Sequence, residues 1–434
     1  MRRERGIHEF FAEDPKRADR ELWGRGLGRQ TRRALLANIG AMSAVLGARI
    51  VHARHMPLGL IPAQLANSRE PFHIEGKDGL TVLNDRPLSA ETPPHLLNDD
   101  VTPSERLFVR NNGLPPDEAT LNRTWSLTVS GESVLRPLRY TIGGLKRRFA
   151  QVRRQLVLEC AGNGRVGYDP PVPGTQWTLG TVGCPEWNGV LLRDVLADCG
   201  IARDAEYVAY WGADTHLAGP DAGVPISRGV PIAKALRRDA MIAWGMNGQP
   251  LHPMNGSPLR LVFGGWPGST SGKWLTGISV RNIVHDGPKM GGHSYRMPCE
   301  PVEPGAVVAA EDMCIIGAMP VKSLITDPPS GIRHPFGHLL NVHGHAWAGD
   351  RTVRSLWVSI DFGRRWRRAT LWPPSNQGAW ANWDFAASFP SRGYYEVWAR
   401  AVDERDRSQP MIVPGWNPKG YLNNACHRIA VHVV

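Results

Sequence analysis

Apolar residues in this chain come in short runs broken by glycine and proline, a pattern of many small strands and few helices. Between about residues 75 and 325, Tyr207-Val208-Ala209-Tyr210-Trp211 and Leu259-Arg260-Leu261-Val262-Phe263 read as strands, and Gln155-Leu156-Val157-Leu158 as a short buried one. Gly189 to Gly200, with apolar Val190, Leu191, Val195 and Leu196, reads as a helix, and Pro231 to Arg238 as another. Near Thr326-Asp327-Pro328-Pro329-Ser330-Gly331 a turn-rich linker begins. Beyond it short strands recur at regular intervals, at Leu339 to Val342, Val353 to Ile360, Arg368 to Trp372, Tyr394 to Ala401 and His427 to Val434, which predicts an antiparallel sandwich. The expected class is α+β, a mixed domain followed by a β-sandwich.

The first 66 residues have a different pattern. A charged arm runs to Arg29; then Thr31-Arg32-Arg33-Ala34-Leu35-Leu36 leads into an apolar stretch from Ala34 to Ala48, too short to span a bilayer comfortably. This resembles a twin-arginine export signal, which moves proteins across a membrane already folded and loaded with cofactor. The arm before the arginines is long for such a signal, and Arg49 and His52 interrupt the region after the apolar run. An amphipathic helix packed on a cytosolic enzyme is the structural alternative. Because no other segment is apolar for eighteen residues, a soluble mature protein is expected, periplasmic if the signal is used.

At 434 residues, with 42% hydrophobic and 21% charged, the chain has material for two domains with real cores. The balance of 51 Lys and Arg against 40 Asp and Glu gives +11. Such a charge invites a nucleic-acid reading, but the basic residues are dispersed and many lie in the N-terminal arm. Attraction of small anions is the expected consequence.

Six cysteines, at 160, 184, 199, 299, 314 and 426, form neither a Cys-x-x-Cys pair nor a Cys-x-x-Cys-His haem attachment, so no c-type haem is expected in this chain. Cys299 and Cys314 could pair in an oxidising compartment; free buried thiols are an equal reading. The run Glu159-Cys160-Ala161-Gly162-Asn163-Gly164-Arg165 places a thiol at the end of an apolar strand and a guanidinium five residues on. A thiolate suits a soft metal, and an arginine within reach suits an oxyanion. Taken alone, a strand-end cysteine is more often a small core residue than a ligand.

Its surroundings change that reading. Phe108-Val109-Arg110-Asn111-Asn112 lies upstream; Asn255-Gly256-Ser257-Pro258-Leu259-Arg260 and Gly272-Lys273-Trp274-Leu275 lie downstream, followed by Trp416-Asn417-Pro418-Lys419-Gly420-Tyr421-Leu422-Asn423-Asn424-Ala425-Cys426-His427-Arg428. In that order these segments resemble the sulfite oxidase family of molybdenum-pterin enzymes, most closely its bacterial sulfite dehydrogenases and sulfane dehydrogenase subunits, over about residues 75 to 434. The resemblance implies the domain plan: residues 1–66 as an export arm, 67–325 as the molybdenum-pterin catalytic domain of sulfite oxidase fold, and 326–434 as an immunoglobulin-like sandwich that builds a homodimer.

It also implies roles. Cys160 becomes the protein thiolate on molybdenum, the other two sulfurs coming from the pterin dithiolene. Arg110 and Arg165 become oxyanion-binding residues, and Tyr295, in His293-Ser294-Tyr295-Arg296, an active-site hydroxyl. The cofactor pocket would draw on Phe108, Val109, Arg110, Asn111, Asn112, Asp214, Asn255, Arg260, Ser271, Gly272 and Lys273, with Arg260 and Lys273 suited to its phosphate. Two departures stand out. Asn255 occupies a position where animal members carry histidine. The run Ala379-Trp380-Ala381-Asn382-Trp383, where sulfite oxidisers usually supply a further arginine, contains none, leaving Arg392, Arg364, Arg365, Arg367 or Arg368 to substitute.

The expected function is oxidation of sulfite to sulfate, with electrons passed to a separate c-type cytochrome. Oxidation of a carrier-bound sulfane sulfur by a thiosulfate-oxidising complex is the nearer alternative; a cofactor-free secreted interaction protein is an alternative of another class. Residues 330 to 434 argue against the related methionine sulfoxide reductases, which lack the sandwich.

Overall fold

The computed structural model describes residues 74–434 apart from 122 and 123. The expected export signal lies outside the described residues. In the mixed domain, one five-stranded sheet runs in the order Gly229–Pro231, Tyr207–Gly212, Leu275–Arg281, Ser126–Ser130 and Leu138–Thr141. Its pairings are antiparallel except between Leu275–Arg281 and Ser126–Ser130. A second sheet orders Gln249–Pro250, Ala240–Met246, Glu186–Leu191 and Gln151–Gln155, with Arg260–Phe263 also paired to Ala240–Met246. Every residue of Ala240–Met246 is buried, as its unbroken apolar run requires of a strand covered on both faces. Leu127, Val208, Ile242, Leu261, Phe263 and Ile278 fill the shared core.

Three local expectations are corrected. Val190 and Leu191 belong to the strand Glu186–Leu191, because the main chain there is held by both Gln151–Gln155 and Ala240–Met246; the helix starts only at Leu192 and runs to Cys199. Gly189 permits that close pairing, since a Cβ would lie 2.0 Å from the Ile242 carbonyl oxygen. The expected strand at Gln155 to Leu158 is interrupted as well. One strand ends at Gln155 and another, Leu158–Glu159, pairs with Val182–Gly183. Between them the Val157 N–H donates to Gly378 O (2.8 Å) and its carbonyl accepts from Gly265 N–H (3.2 Å), so the backbone leaves its sheet to bond elsewhere. The helix expected from Pro231 is a single turn, Ile232–Ala235.

The sandwich has a sheet of Lys322–Asp327, Leu340–Trp347, Ala381–Ala387 and Thr370–Leu371 facing one of Ile332–His334, His427–Val433, Gly393–Asp403, Val353–Ser359 and Arg367–Arg368. Val342, Leu356, Trp383, Val397 and Val431 form its core. The boundary expected near residue 326 falls inside the strand Lys322–Asp327, whose pairing with Leu340–Trp347 makes it the sandwich's own. Among the described residues no helix is long and apolar enough to cross a membrane.

Buried polar contacts hold the sandwich to the mixed domain. Lys322 Nζ meets Glu159 Oε1 at 3.1 Å with both side chains almost wholly buried, and Lys234 Nζ meets Asp239 (3.0 Å) and Asp350 (2.7 Å). His345, fully buried, stacks on Trp380 with ring centroids 3.9 Å apart, and its Nε2 and Nδ1 lie 2.7 Å and 2.8 Å from the Leu97 carbonyl and Asn382 Oδ1. Burial pushes its pKa down to about 4, so it is neutral in the fold and takes up a proton more readily when unfolded. The stability this provides is complete above pH 6.5 and is lost as pH falls toward 4, by roughly 3 kcal/mol. Urea unfolding across pH 7 to 4 should show that decline for the wild type and a shallower one for His345→Gln.

Candidate active site

The strand Leu158–Glu159 delivers Cys160 to the mouth of a tight loop. The Cys160 N–H donates to Thr181 O (2.9 Å), and its carbonyl accepts from Asn163 N–H (2.9 Å). Gly164, at φ 93°, turns the chain, a conformation that glycine adopts without strain. Behind the loop, the Glu159 carboxylate accepts from Lys322 Nζ, from Trp347 Nε1 (2.7 Å) and from Asn163 Nδ2 (3.0 Å), which fixes the strand end that carries the thiol.

Cys160 opens into a partly open cleft. Of the expected residues, Phe108, Arg110, Asn112, Asp214, Asn255, Arg260, Ser271, Lys273 and Tyr295 line this cleft with it. Val109, Asn111, Gly272 and Arg165 do not. Val109 is fully buried in a strand paired to Leu88–Glu91, and Asn111 sits behind Lys273, whose ammonium donates to its amide oxygen. Gly272 acts through its size, because a Cβ there would lie 2.2 Å from the Tyr210 ring.

Arg165 is displaced from its expected place at the substrate. Its Nε donates to Lys419 O (2.9 Å) and its Nη1 to Thr175 O (2.8 Å), while the guanidinium lies 5.2 Å from the Tyr421 ring centroid. Tyr421 stacks in turn on Tyr295, with centroids 5.8 Å apart and planes within 9°. Tyr295 adopts φ 52°, an uncommon backbone state for a bulky residue, and its hydroxyl donates to Asn112 Oδ1 (3.1 Å). Lys289 Nζ donates to the same oxygen (2.8 Å).

None of the five candidate substitute arginines lines the cleft. Arg364, Arg365, Arg367, Arg368 and Arg392 are exposed on the sandwich. The Ala379–Trp383 run packs elsewhere, with the Trp380 indole N–H donating to Asp100 O (2.8 Å). From the C-terminal segment it is Tyr421, not an arginine, that packs behind the cleft's Tyr295.

One end of the cleft is strongly basic. Arg260 donates to Asn255 O (2.7 Å) and Ser271 O (3.2 Å), Lys273 to Met254 O (2.9 Å), and the buried Lys77 to Asn255 Oδ1 and Leu107 O. Burial lowers Lys77 to about 7 and Arg260 to about 9, and holds Lys273 well below the usual lysine value, with Arg260 adding repulsion to both lysines. Asp214 lines the same cleft, raised to about 6 by burial against the pull of Lys273. Lys77 and Lys289 escaped sequence reasoning because each stands alone in a polar stretch; only the fold brings them here.

These residues fit a molybdopterin. Buried cations held on carbonyl and amide oxygens are an electrostatic demand for an anion such as the cofactor phosphate. A single thiol is too few donors to hold a metal by itself. Among the described residues no group of three or more His, Cys, Asp or Glu is arranged to hold a metal, so one joined to Cys160 must bring most of its ligands.

Comparison with known proteins agrees with this geometry. Residues 113–289 match the family described as oxidoreductase molybdopterin binding domain, and residues 313–434 the Mo-co oxidoreductase dimerisation domain. Sulfite oxidase of Gallus gallus is 31% identical over 420 residues, covering 91% of this chain and 90% of that protein. Mitochondrial sulfite oxidase of Homo sapiens is 32% identical over 375 residues, 82% of this chain and 66% of that protein. The crystal structure of the sulfane dehydrogenase SoxCD from Paracoccus pantotrophus superposes with a TM-score of 0.65 at 25% identity, covering 80% of this chain and 87% of that one. The chain is a molybdopterin-dependent oxidoreductase and belongs to the sulfite oxidase family.

Proposed function

We propose that this enzyme oxidises sulfite to sulfate in the cleft that Cys160 lines and passes the electrons to a separate c-type cytochrome. The observation that carries the reading is the placement of Cys160, Arg110 and Tyr295 on one cleft with Arg260 and Lys273, backed by the buried Lys77 on Asn255. Cys160 would hold the metal, and the basic cluster with Asn255 and Ser271 the pterin and its phosphate. When bound there, the cofactor supplies two-electron redox chemistry. The protein's contribution is electrostatic and geometric: Arg110 attracts and orients the oxyanion, and the Tyr295 hydroxyl, whose one proton here goes to Asn112 Oδ1, would turn that proton to a bound anion.

Export through a twin-arginine signal to the periplasm belongs to the same reading, and the Cys299–Cys314 disulfide, with Cα atoms 5.0 Å apart, supports an oxidising compartment. So does a homodimer built through the C-terminal domain, given its match to a dimerisation family. A second reading, oxidation of a carrier-bound sulfane sulfur, draws on the likeness to SoxCD. Steady-state assays of the molybdenum-loaded protein separate the two. Saturable reduction of ferricyanide and of a c-type cytochrome by free sulfite supports the first; turnover only with a persulfidated carrier protein supports the second.

Arg110→Gln is expected to retain molybdenum while raising the Michaelis constant for sulfite. Losing one charge-assisted hydrogen bond costs about 1.5 to 3 kcal/mol, roughly a tenfold to hundredfold loss in kcat/KM. Unchanged kinetics at full metal content would remove Arg110 from the substrate's contacts.

A further inference from the structure

Arg228 is a fully buried guanidinium beside this site with donors left over. The residue is wholly inaccessible to solvent, one position before the strand Gly229–Pro231. Its Nη1 donates to Ser269 Oγ (2.7 Å), and its guanidinium carbon lies 4.9 Å from the Tyr295 ring centroid. Ser269 and Tyr295 both line the cleft that Cys160 opens into, and Arg228 itself lies directly behind them, off the lining. Its Nε and Nη2 have no hydrogen-bond partner, and no carboxylate pairs with it among the described residues. The surrounding charged and titratable groups are tyrosines 207, 210, 295 and 421, none of which neutralises a cation.

A buried, unpaired guanidinium is costly unless something arrives to meet it. The planar fork of arginine matches an oxyanion, and two free N–H groups behind a cleft wall are the complement of one. Arg260, by contrast, has a carbonyl partner at each of its three nitrogens, Asn255 O, Ser271 O and Leu261 O, and Arg165 is held on Lys419 O and Thr175 O. We propose that Arg228 is a second substrate-binding arginine of this cleft, acting with Arg110 on the anionic sulfur substrate. The identity of that anion rests on the function proposed above; the role of Arg228 as its binding group rests on the unpaired donors beside Ser269 and Tyr295.

Sulfate is the probe, titrated into the molybdenum-loaded protein. Its binding is followed as a sulfate-dependent rise in melting temperature and as inhibition of sulfite-dependent ferricyanide reduction. Arg228→Gln should keep its molybdenum, melt no lower than the wild type in the absence of sulfate, and bind sulfate about tenfold to hundredfold more weakly. The Michaelis constant for sulfite should rise by a similar factor with kcat little changed. Arg228→Lys keeps the charge without the fork; an intermediate sulfate affinity is expected, and this variant decides the matter if the glutamine variant does not fold. Wild-type sulfate affinity in either variant would overturn the proposal, as would a wild type that sulfate does not stabilise. A glutamine variant that folds without molybdenum would also overturn it, because Arg228 would then hold the cofactor. Melting requires no turnover. Sulfate binding through Arg228 in a protein that does not oxidise sulfite would therefore refute the substrate reading and leave the arginine's role intact.

Discussion

Cys160→Ser is expected to give a folded protein that loses sulfite oxidation by roughly three orders of magnitude or more. The substitution conserves volume at a site only 9% exposed, and it leaves the loop's backbone hydrogen bonds to Thr181 and Asn163 in place. What it removes is the soft donor: a serine hydroxyl is a poor ligand where a thiolate is a strong one. Circular dichroism and melting temperature close to wild type, together with loss of turnover, are the expected pair of results. Retained activity would mean that the thiol is a core residue after all.

Lys322→Met should have the largest effect on stability. Lys322 and Glu159 are 4% and 1% exposed, and the lysine also donates to Asn163 O at 3.0 Å. Removing the lysine strands a buried carboxylate, for which a loss of about 3 to 5 kcal/mol is typical. The double variant Lys322→Met/Glu159→Gln should recover much of that loss, since it leaves no orphaned charge. Urea midpoints of the three proteins measure this directly. Because Glu159 precedes Cys160, the single variant should also bind molybdenum less completely than the double one. Equal stability of the single variant and the wild type would show that the pair contributes nothing to joining sandwich and catalytic domain.

The parts of the fold legible in the sequence were those with strong alternation or long apolar runs. Val353–Ser359, Gly393–Asp403 and His427–Val433 lie where their patterns predict. Ala381–Ala387 alternates buried and accessible residues equally well, yet Trp383 and Phe385 share its buried face with two alanines, too small to give a clear signal. Lys322–Asp327 opens with a lysine and a serine that are buried only through the tertiary contacts they make. At the site, Cys160 could be found because the residues around it form a motif. Arg165 belongs to the same motif, but the turn at Gly164 sends its guanidinium to carbonyls and to Tyr421, a layer behind the cleft. Arg228 could not be found, because Ser227-Arg228-Gly229 reads as an ordinary polar loop. Its importance arises from the burial around it and from the two donors that burial leaves unpaired.

The central claim is that Cys160 is the protein's ligand to molybdenum in this cleft. X-ray absorption at the molybdenum edge counts the sulfur atoms bound to the metal. Three are expected for the wild type, one from Cys160 and two from the dithiolene; a wild type showing only two would place the thiol off the metal and contradict the claim.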